Sequence, residues 1–357
     1  MTKTIESQPK LRIGVIGLKH GMGHAGMALA NPRSELVALC DLNATLLHET
    51  QQAMAKQHGE AVGGVRTFRD AADLLRWDGV DAVAIATPTA SHAPLCLQAM
   101  RAGKHVLLEK PLAPTLAEGR ELMAAQKECG VVVQIGYEVR SSQWLHRLIE
   151  VRRSGRLGEI VFVWWHLFLK QDEKDWRADR RQCGGKLFDC ACHYWDVLQL
   201  IVGAPVLRVS AFGNDVGRTG PDADGIPRVA TVNFEYANGA KGNLALSEVS
   251  PTPETSLSGV VGTRGIVYAN PWRPEGAGSL DCYLDGCLYR EQITVNGKMA
   301  SCGHLGFAEQ HESFLDAVLD GKPVPCSLAD AYEVARVGAA IDRSLATGNT
   351  VLMSDVT

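Results

Sequence analysis

Apolar and polar positions along this chain change their rhythm near its middle. In the first part, compact apolar runs alternate with amphipathic stretches. Leu11 to Ile16, Glu35 to Cys40, Asp81 to Ala86 and Val131 to Ile135 read as buried strands, and the stretches between them read as helices. Gly103 ends one such helix, and Val106-Leu107-Leu108 then forms a short strand that stops on Glu109-Lys110-Pro111. Thr115 and Glu118 make a capping box for a helix that reaches Cys129 before Gly130. Strands alternating with helices predict a parallel, doubly wound sheet, ending near Gly136.

Beyond that point the period shortens. Gln143 to Ser154 is still an amphipathic helix, but strand-like runs then dominate: Glu159 to Leu169, Val206 to Gly213, Val229 to Tyr236, Lys241 to Ser247, Leu257 to Val261, Gly265 to Ala269, and Leu280 to Tyr289 as one strand. Asn238-Gly239 marks a hairpin. Helices follow at Phe307 to Asp320 and Ser327 to Thr347, the second capped by Ser327 and Asp330. The fold class read from this pattern is an α/β Rossmann domain followed by an α+β domain with a large, mostly antiparallel open sheet. The boundary divides the chain into 1–136 and 137–357.

Composition narrows the function classes. A net charge of -4 and a pI near 6.3 argue against a nucleic-acid or anionic-membrane surface. The apolar runs are too short to span a bilayer, and the polar start lacks the apolar core of a signal peptide. Ten scattered cysteines without such a signal read as reduced thiols, and the expected location is the cytoplasm.

Candidate chemistry sits at strand ends. Gly17-Leu18-Lys19-His20-Gly21-Met22-Gly23-His24 follows the first strand and precedes a helix from Ala25, the context in which backbone amides cradle a pyrophosphate. It is not a regular G-x-G-x-x-G, because Lys19 replaces the second glycine. Asp41, closing the second strand, suits a ribose hydroxyl and repels a 2′-phosphate, which favours NAD over NADP. Its alternative role is to cap the helix from Ala44. Lys110 at a strand end projects into a crevice as a proton donor or as an orienter of a substrate oxygen; a solvated Glu-Lys-Pro turn is the alternative.

In Gly184 to Asp196, a helical reading puts Asp189 and His193 on one face, with Asp196 a turn further. The carboxylate would fix the imidazole, which would exchange a proton with a hydroxyl; a capping Asp189 and a packed His193 are the alternative. Cys190, Cys192 and His193 lack metal-ligand spacing, and His20 with His24 lacks carboxylate company, so no metal is expected.

Taken in order, these parts resemble the Gfo/Idh/MocA oxidoreductase family from about Leu11 to Leu352: the Gly17 loop, Ala86-Thr87-Pro88 with His92, Gly103 to Pro111, Gly136 to Arg140, Gly184 to Asp196, and Gly262-Thr263-Arg264-Gly265. The resemblance implies a nicotinamide cofactor between the domains, a sugar, inositol or other polyol substrate, and a homodimer or homotetramer built through the outer sheet face. It assigns catalysis to Lys110, Asp189 and His193. The cofactor contacts are Gly17, Lys19, His20, Gly21, Gly23, Asp41, Thr87, Pro88, His92, Glu109 and Lys110. Substrate contacts extend to Arg140, Trp176 and Arg177, with Trp164, Trp165 and Trp176 as candidate sugar platforms. Ala191 replaces a frequent glycine, and Glu138 stands where a polar amide is common. The expected activity is NAD-dependent oxidation of a secondary alcohol. An NAD-dependent glycosidase and a non-catalytic NAD(P) sensor are the alternatives.

Overall fold

The computed structural model describes residues 10–170, 176–179, 182–183, 185–216, 226–251, 255–270, 277–294 and 305–357. The first half comprises β1 (Leu11–Ile16), α1 (Leu18–Ala30), β2 (Ser34–Cys40), α2 (Ala44–His58), β3 (Arg66–Phe68), α3 (Ala71–Arg76), β4 (Ala82–Ile85), α4 (His92–Arg101), β5 (His105–Leu108), α5 (Leu116–Cys129) and β6 (Val133–Ile135). Its six strands run parallel in the order β3-β2-β1-β4-β5-β6. The order reverses between β1 and β4, which opens a crevice at their carboxyl ends.

Alternate residues of each strand serve opposite faces. Ile13, Val15, Ala84 and Leu107 pack beneath α1, while Val83, Ile85, Val106 and Leu108 pack with Met100 of α4 and Leu122 of α5.

The second half holds α6 (Gln143–Arg153), β7 (Ile160–Phe168), α7 (Lys186–Asp189), α8 (Cys192–Val202), β8 (Val206–Asn214), β9 (Val229–Tyr236), β10 (Lys241–Ser247), β11 (Thr255–Gly262), β12 (Gly265–Asn270), β13 (Ala277–Leu284), β14 (Cys287–Thr294), α9 (Phe307–Asp320), α10 (Leu328–Thr347) and β15 (Val351–Leu352). Nine strands form one sheet, ordered β14-β13-β12-β11-β7-β10-β9-β8-β15; the β7–β10 pair is parallel and the other pairs antiparallel. The run from Leu280 to Tyr289 is two strands rather than one. Asp285 and Gly286 both take positive φ, 54° and 78°, and turn the chain back on itself. The Asp-Gly pair was the available signal.

The inner face of this sheet carries Val163, Trp165, Leu167, Leu244 and Leu246 against Trp144 of α6 and Leu198 of α8. Trp165 stacks on Tyr194 at 4.4 Å and donates to Ser256 Oγ at 2.9 Å. The outer face keeps large side chains in solvent: Phe162, Leu257, Tyr268 and Tyr283 are all exposed, and Trp164 lies against Phe162 and Tyr268. Strand alternation therefore removes both Trp164 and Trp165 from the list of sugar platforms, because one faces the outer surface and the other the core.

The last two helices return to the first half. Gln134 Nε2 donates to the Gln310 carbonyl, and Ile135 N donates to the Cys326 carbonyl. Arg33 pairs with Glu312, Asp316 and Asp320 along α9. Phe314 and Leu315 complete the apolar layer over β1 and β5.

Candidate active site

The crevice is built first from a turn. Gly17 has φ +87, and a Cβ there would lie 2.7 Å from the Ala86 carbonyl oxygen, so only glycine lets β1 turn directly beside β4. Helix α1 begins at once, at Leu18, rather than at Ala25. Lys19, His20, Gly21 and Gly23 therefore lie in its first turns, not in a loop. Leu18, Gly21, Ala25 and Ala28 are its buried stripe, and a Cβ on Gly21 would come within 2.7 Å of Val15 Cγ1. Gly21 thus serves helix–strand packing.

Asp41 closes β2 beside this turn. Its carboxylate accepts from Leu18 N at 2.9 Å and from Asn43 N at 2.8 Å. The cap of α2 is Asn43, whose side chain accepts from Thr45 N and Leu46 N. Asp41 therefore places its charge at the N-terminus of α1, where the helix dipole favours it.

His92 departs from its expected role as a cofactor contact. Its ring is buried, with Nδ1 2.8 Å from the Pro111 carbonyl and Nε2 2.9 Å from the Thr87 carbonyl. Burial pushes the ring below its ordinary value, against the pull of both carbonyls. His92 ties the Thr87-Pro88 turn to the segment after Lys110, and both ring nitrogens face protein.

Glu109 continues the sheet, donating from its N–H to the Ile85 carbonyl at 2.9 Å. Its carboxylate is buried; Oε1 accepts from His24 Nε2 at 3.0 Å and lies 3.7 Å from His20 Nε2. Burial opposes its charge, but His24, His20 and Lys110 outweigh that and hold the carboxyl well below the usual range. Gly136 leaves room for it, since a Cβ there would stand 3.1 Å from Glu109 Oε1.

Lys110 reaches across to the second half. Nζ donates to the Asp189 carbonyl at 2.7 Å and to Asp189 Oδ1 at 3.0 Å. Desolvation favours the neutral amine, yet Asp189 and Glu109 overcome it and raise the group well above its ordinary value. Lys110 is therefore an ammonium, a donor rather than a base. Asp189 also lies 3.4 Å, through Oδ2, from Arg177 Nε. Burial acts against its charge, while Lys110, Lys186 and Arg177 keep the carboxyl below the usual range.

Asp189 and His193 do not belong to one continuous helix. Asp189 ends α7, Cys190 and Ala191 form a turn, and His193 stands in the first turn of α8. The Asp189 carboxylate engages Lys110 and Arg177, while His193 Nε2 faces Glu138 Oε2 at 3.6 Å. Tyr137 meets the imidazole edge-on at 5.4 Å. Glu138, which stood out in the sequence only as an unusual residue, is thus the buried acidic neighbour of His193.

Arg140 is committed elsewhere. It binds Asp196 in bidentate fashion at 2.6 and 2.7 Å, and its side chain is only 8% exposed. That buried pair holds the segment after β6 to α8 and takes Arg140 away from a substrate. Trp176 and Arg177 stay beside the site, the guanidinium 4.8 Å from the indole centre. Asp175 and Gly184 lie outside the described residues. Among the described residues, no group of three or more His, Cys, Asp or Glu is placed to hold a metal.

The chain has relatives among known proteins. Residues 11–137 match the model of an oxidoreductase family with an NAD-binding Rossmann fold, Gfo/Idh/MocA, and residues 145–268 match the Gfo/Idh/MocA C-terminal domain. The chain belongs to this family. It is 36% identical over 357 residues to inositol 2-dehydrogenase of Rubrobacter xylanophilus, covering 95% of this chain and 92% of that one. It is 26% identical to scyllo-inositol 2-dehydrogenase (NAD(+)) of Bacillus subtilis, over 96% of both chains. Aldose-aldose oxidoreductase from Caulobacter crescentus, solved with glycerol, superposes with a TM-score of 0.82 at 25% identity, over 96% of this chain and 99% of that one.

Proposed function

We propose that this protein oxidises a secondary hydroxyl of a sugar, inositol or related polyol with NAD, working between the carboxyl ends of β5 and β6 and the start of α8. The observation that carries this reading is that a half-buried ammonium, Lys110, and a buried imidazole, His193, each stand beside a buried carboxylate, Asp189 for the first and Glu138 for the second. The names of the inositol dehydrogenases among its relatives support the substrate class.

The residues fit a dinucleotide. The tight turn at Gly17 brings the α1 N-terminus to the crevice, and Asp41 stands at the end of β2 for a ribose hydroxyl. Lys19 and His20 extend from the first turn of α1, with Thr87-Pro88 and Glu109 across the crevice. NAD, when bound, supplies the hydride acceptor.

The chain's own groups handle the proton. His193 removes it from the substrate hydroxyl, a step worth about 10²–10⁴ in rate. Glu138 stabilises the imidazolium that results. Lys110 donates to the same oxygen, and Asp189 with Arg177 fixes the amine. Trp176 offers an apolar ring to the substrate. Assembly as a homodimer or homotetramer would cover the exposed aromatic face of the large sheet.

The test is a panel of inositols, sugars and sugar acids with NAD, followed by NADH absorbance. Substrate-dependent NADH formation is expected. Release of an aglycone without net NADH, or NAD binding without turnover on any member, would overturn the reading.

A further inference from the structure

We propose that His24 and His311 are positioning residues of the nucleotide site, joined to Glu109 in a buried hydrogen-bond chain through which α9 sets the affinity for NAD. The inference rests on Glu109 being a cofactor contact. His311 Nε2 lies 2.9 Å from His24 Nδ1, and His24 Nε2 lies 3.0 Å from Glu109 Oε1. The three side chains come from α9, α1 and the end of β5, and His24 and His311 are 287 residues apart in sequence.

The protons follow from the network. A carboxylate only accepts, so His24 donates to Glu109 through Nε2, and its Nδ1 shares the second hydrogen bond with His311 Nε2. Burial pushes His311 well below its ordinary value, with His24 adding to that and Glu109 opposing it, so His311 stays neutral. The groups facing the chain are His20, 3.7 Å from Glu109, and Lys110, whose N–H donates to Glu109 Oε2 at 3.2 Å.

Their setting argues for a geometric role. The layer between α1, α9 and the sheet carries Leu18, Ala25, Leu107, Phe314 and Leu315, beside the buried Gln134 that donates to the Gln310 carbonyl of α9. Phe307 packs on both imidazoles, at 4.9 and 5.2 Å between ring centres. Polar rings in such a layer cost desolvation that apolar residues avoid, unless their hydrogen bonds fix something. What they fix is the direction of one carboxylate at the crevice. Arg33, clamped to Glu312, Asp316 and Asp320, keeps α9 in place behind it.

The experiment compares His311→Gln, which keeps an N–H donor near the position of Nε2, with His311→Leu, which has none. NAD dissociation constants are measured by calorimetry, with KM for NAD, KM for the polyol, kcat and melting temperature beside them. His311→Leu should weaken NAD about tenfold, as loss of a bond that orients a charged group predicts, with the polyol KM unchanged. His311→Gln should stay within about threefold of wild type. Equal NAD affinity in the two variants, at any melting temperature, overturns the proposal. Should His311→Leu not fold, His24→Gln against His24→Asn reads the inner bond, since only the longer amide reaches Glu109. Equal affinities there overturn it too. A wild-type protein that binds no NAD defeats the reading of the site itself. A wild type that binds NAD, with variants that bind alike, defeats only the relay.

Discussion

Lys110 Nζ touches Asp189 twice, at 2.7 Å on its main-chain carbonyl and at 3.0 Å on its carboxylate. One residue follows the fifth strand of the parallel sheet, and the other ends α7 in the second half. The bond therefore closes the crevice from both sides, and the same ammonium that would meet the substrate also helps hold the two halves together.

Lys110→Met should lower turnover by about 10²–10⁴ if the amine orients the reacting oxygen. The buried pair adds a stability effect. Asp189 would keep Arg177 but lose its main partner, so the variant should lose about 1–3 kcal/mol. Urea unfolding together with steady-state kinetics separates the two effects, and wild-type turnover in a folded variant would return Lys110 to a structural role.

His193→Ala should lose about 10²–10⁴ in turnover while keeping NAD affinity. Glu138→Gln should act more subtly. A carboxylate beside an imidazole favours the protonated ring, so removing it should shift the acid limb of the rate profile to lower pH. Asp189→Asn should instead act mainly through Lys110. A pH–rate profile for wild type and the three variants distinguishes these roles; an unmoved acid limb in Glu138→Gln would show that Glu138 does not tune the base.

Asp41 should enforce a preference for NAD of about tenfold to a hundredfold over NADP, because its carboxylate would face the added phosphate. Asp41→Ala should narrow that ratio. It should also cost about 0.5–2 kcal/mol, since Leu18 N and Asn43 N lose their acceptor. Titration of both cofactors with wild type and variant reads the ratio, and tighter NADP binding by the wild type would refute the assignment.

The outer face of the large sheet should be covered in solution. Light scattering at micromolar concentration is expected to give a dimer or tetramer. Tyr268→Lys, in the middle of the exposed aromatics, should shift the protein towards monomer. A wild-type monomer would show that this face stays in water.

Local pattern determined much of this protein. The apolar runs, the Gly17 turn, the Asn238-Gly239 hairpin, and the caps at Thr115 and Ser327 are set by period and backbone preference, which act over a few residues. That is why most of the elements, the change from parallel to antiparallel sheet, and Lys110 at a strand end were legible in the sequence, whereas the short β3 and α3 between α2 and β4 were not. The Asp285-Gly286 turn also carried a local signal, but the β-forming residues on either side hid it and the segment read as one strand.

Pairing between distant side chains was decided only by the tertiary structure. A buried charge takes whichever partner the packing brings within about 4 Å, and sequence spacing is silent on that distance. Asp189 thus went to Lys110 and Arg177, and His193 came to face Glu138. Arg140 was drawn to Asp196, and His92 was closed between two carbonyls. His311 reached Glu109 through His24 only because α9 folds back across the first sheet, where those rings, buried among apolar side chains, could satisfy their nitrogens on one another.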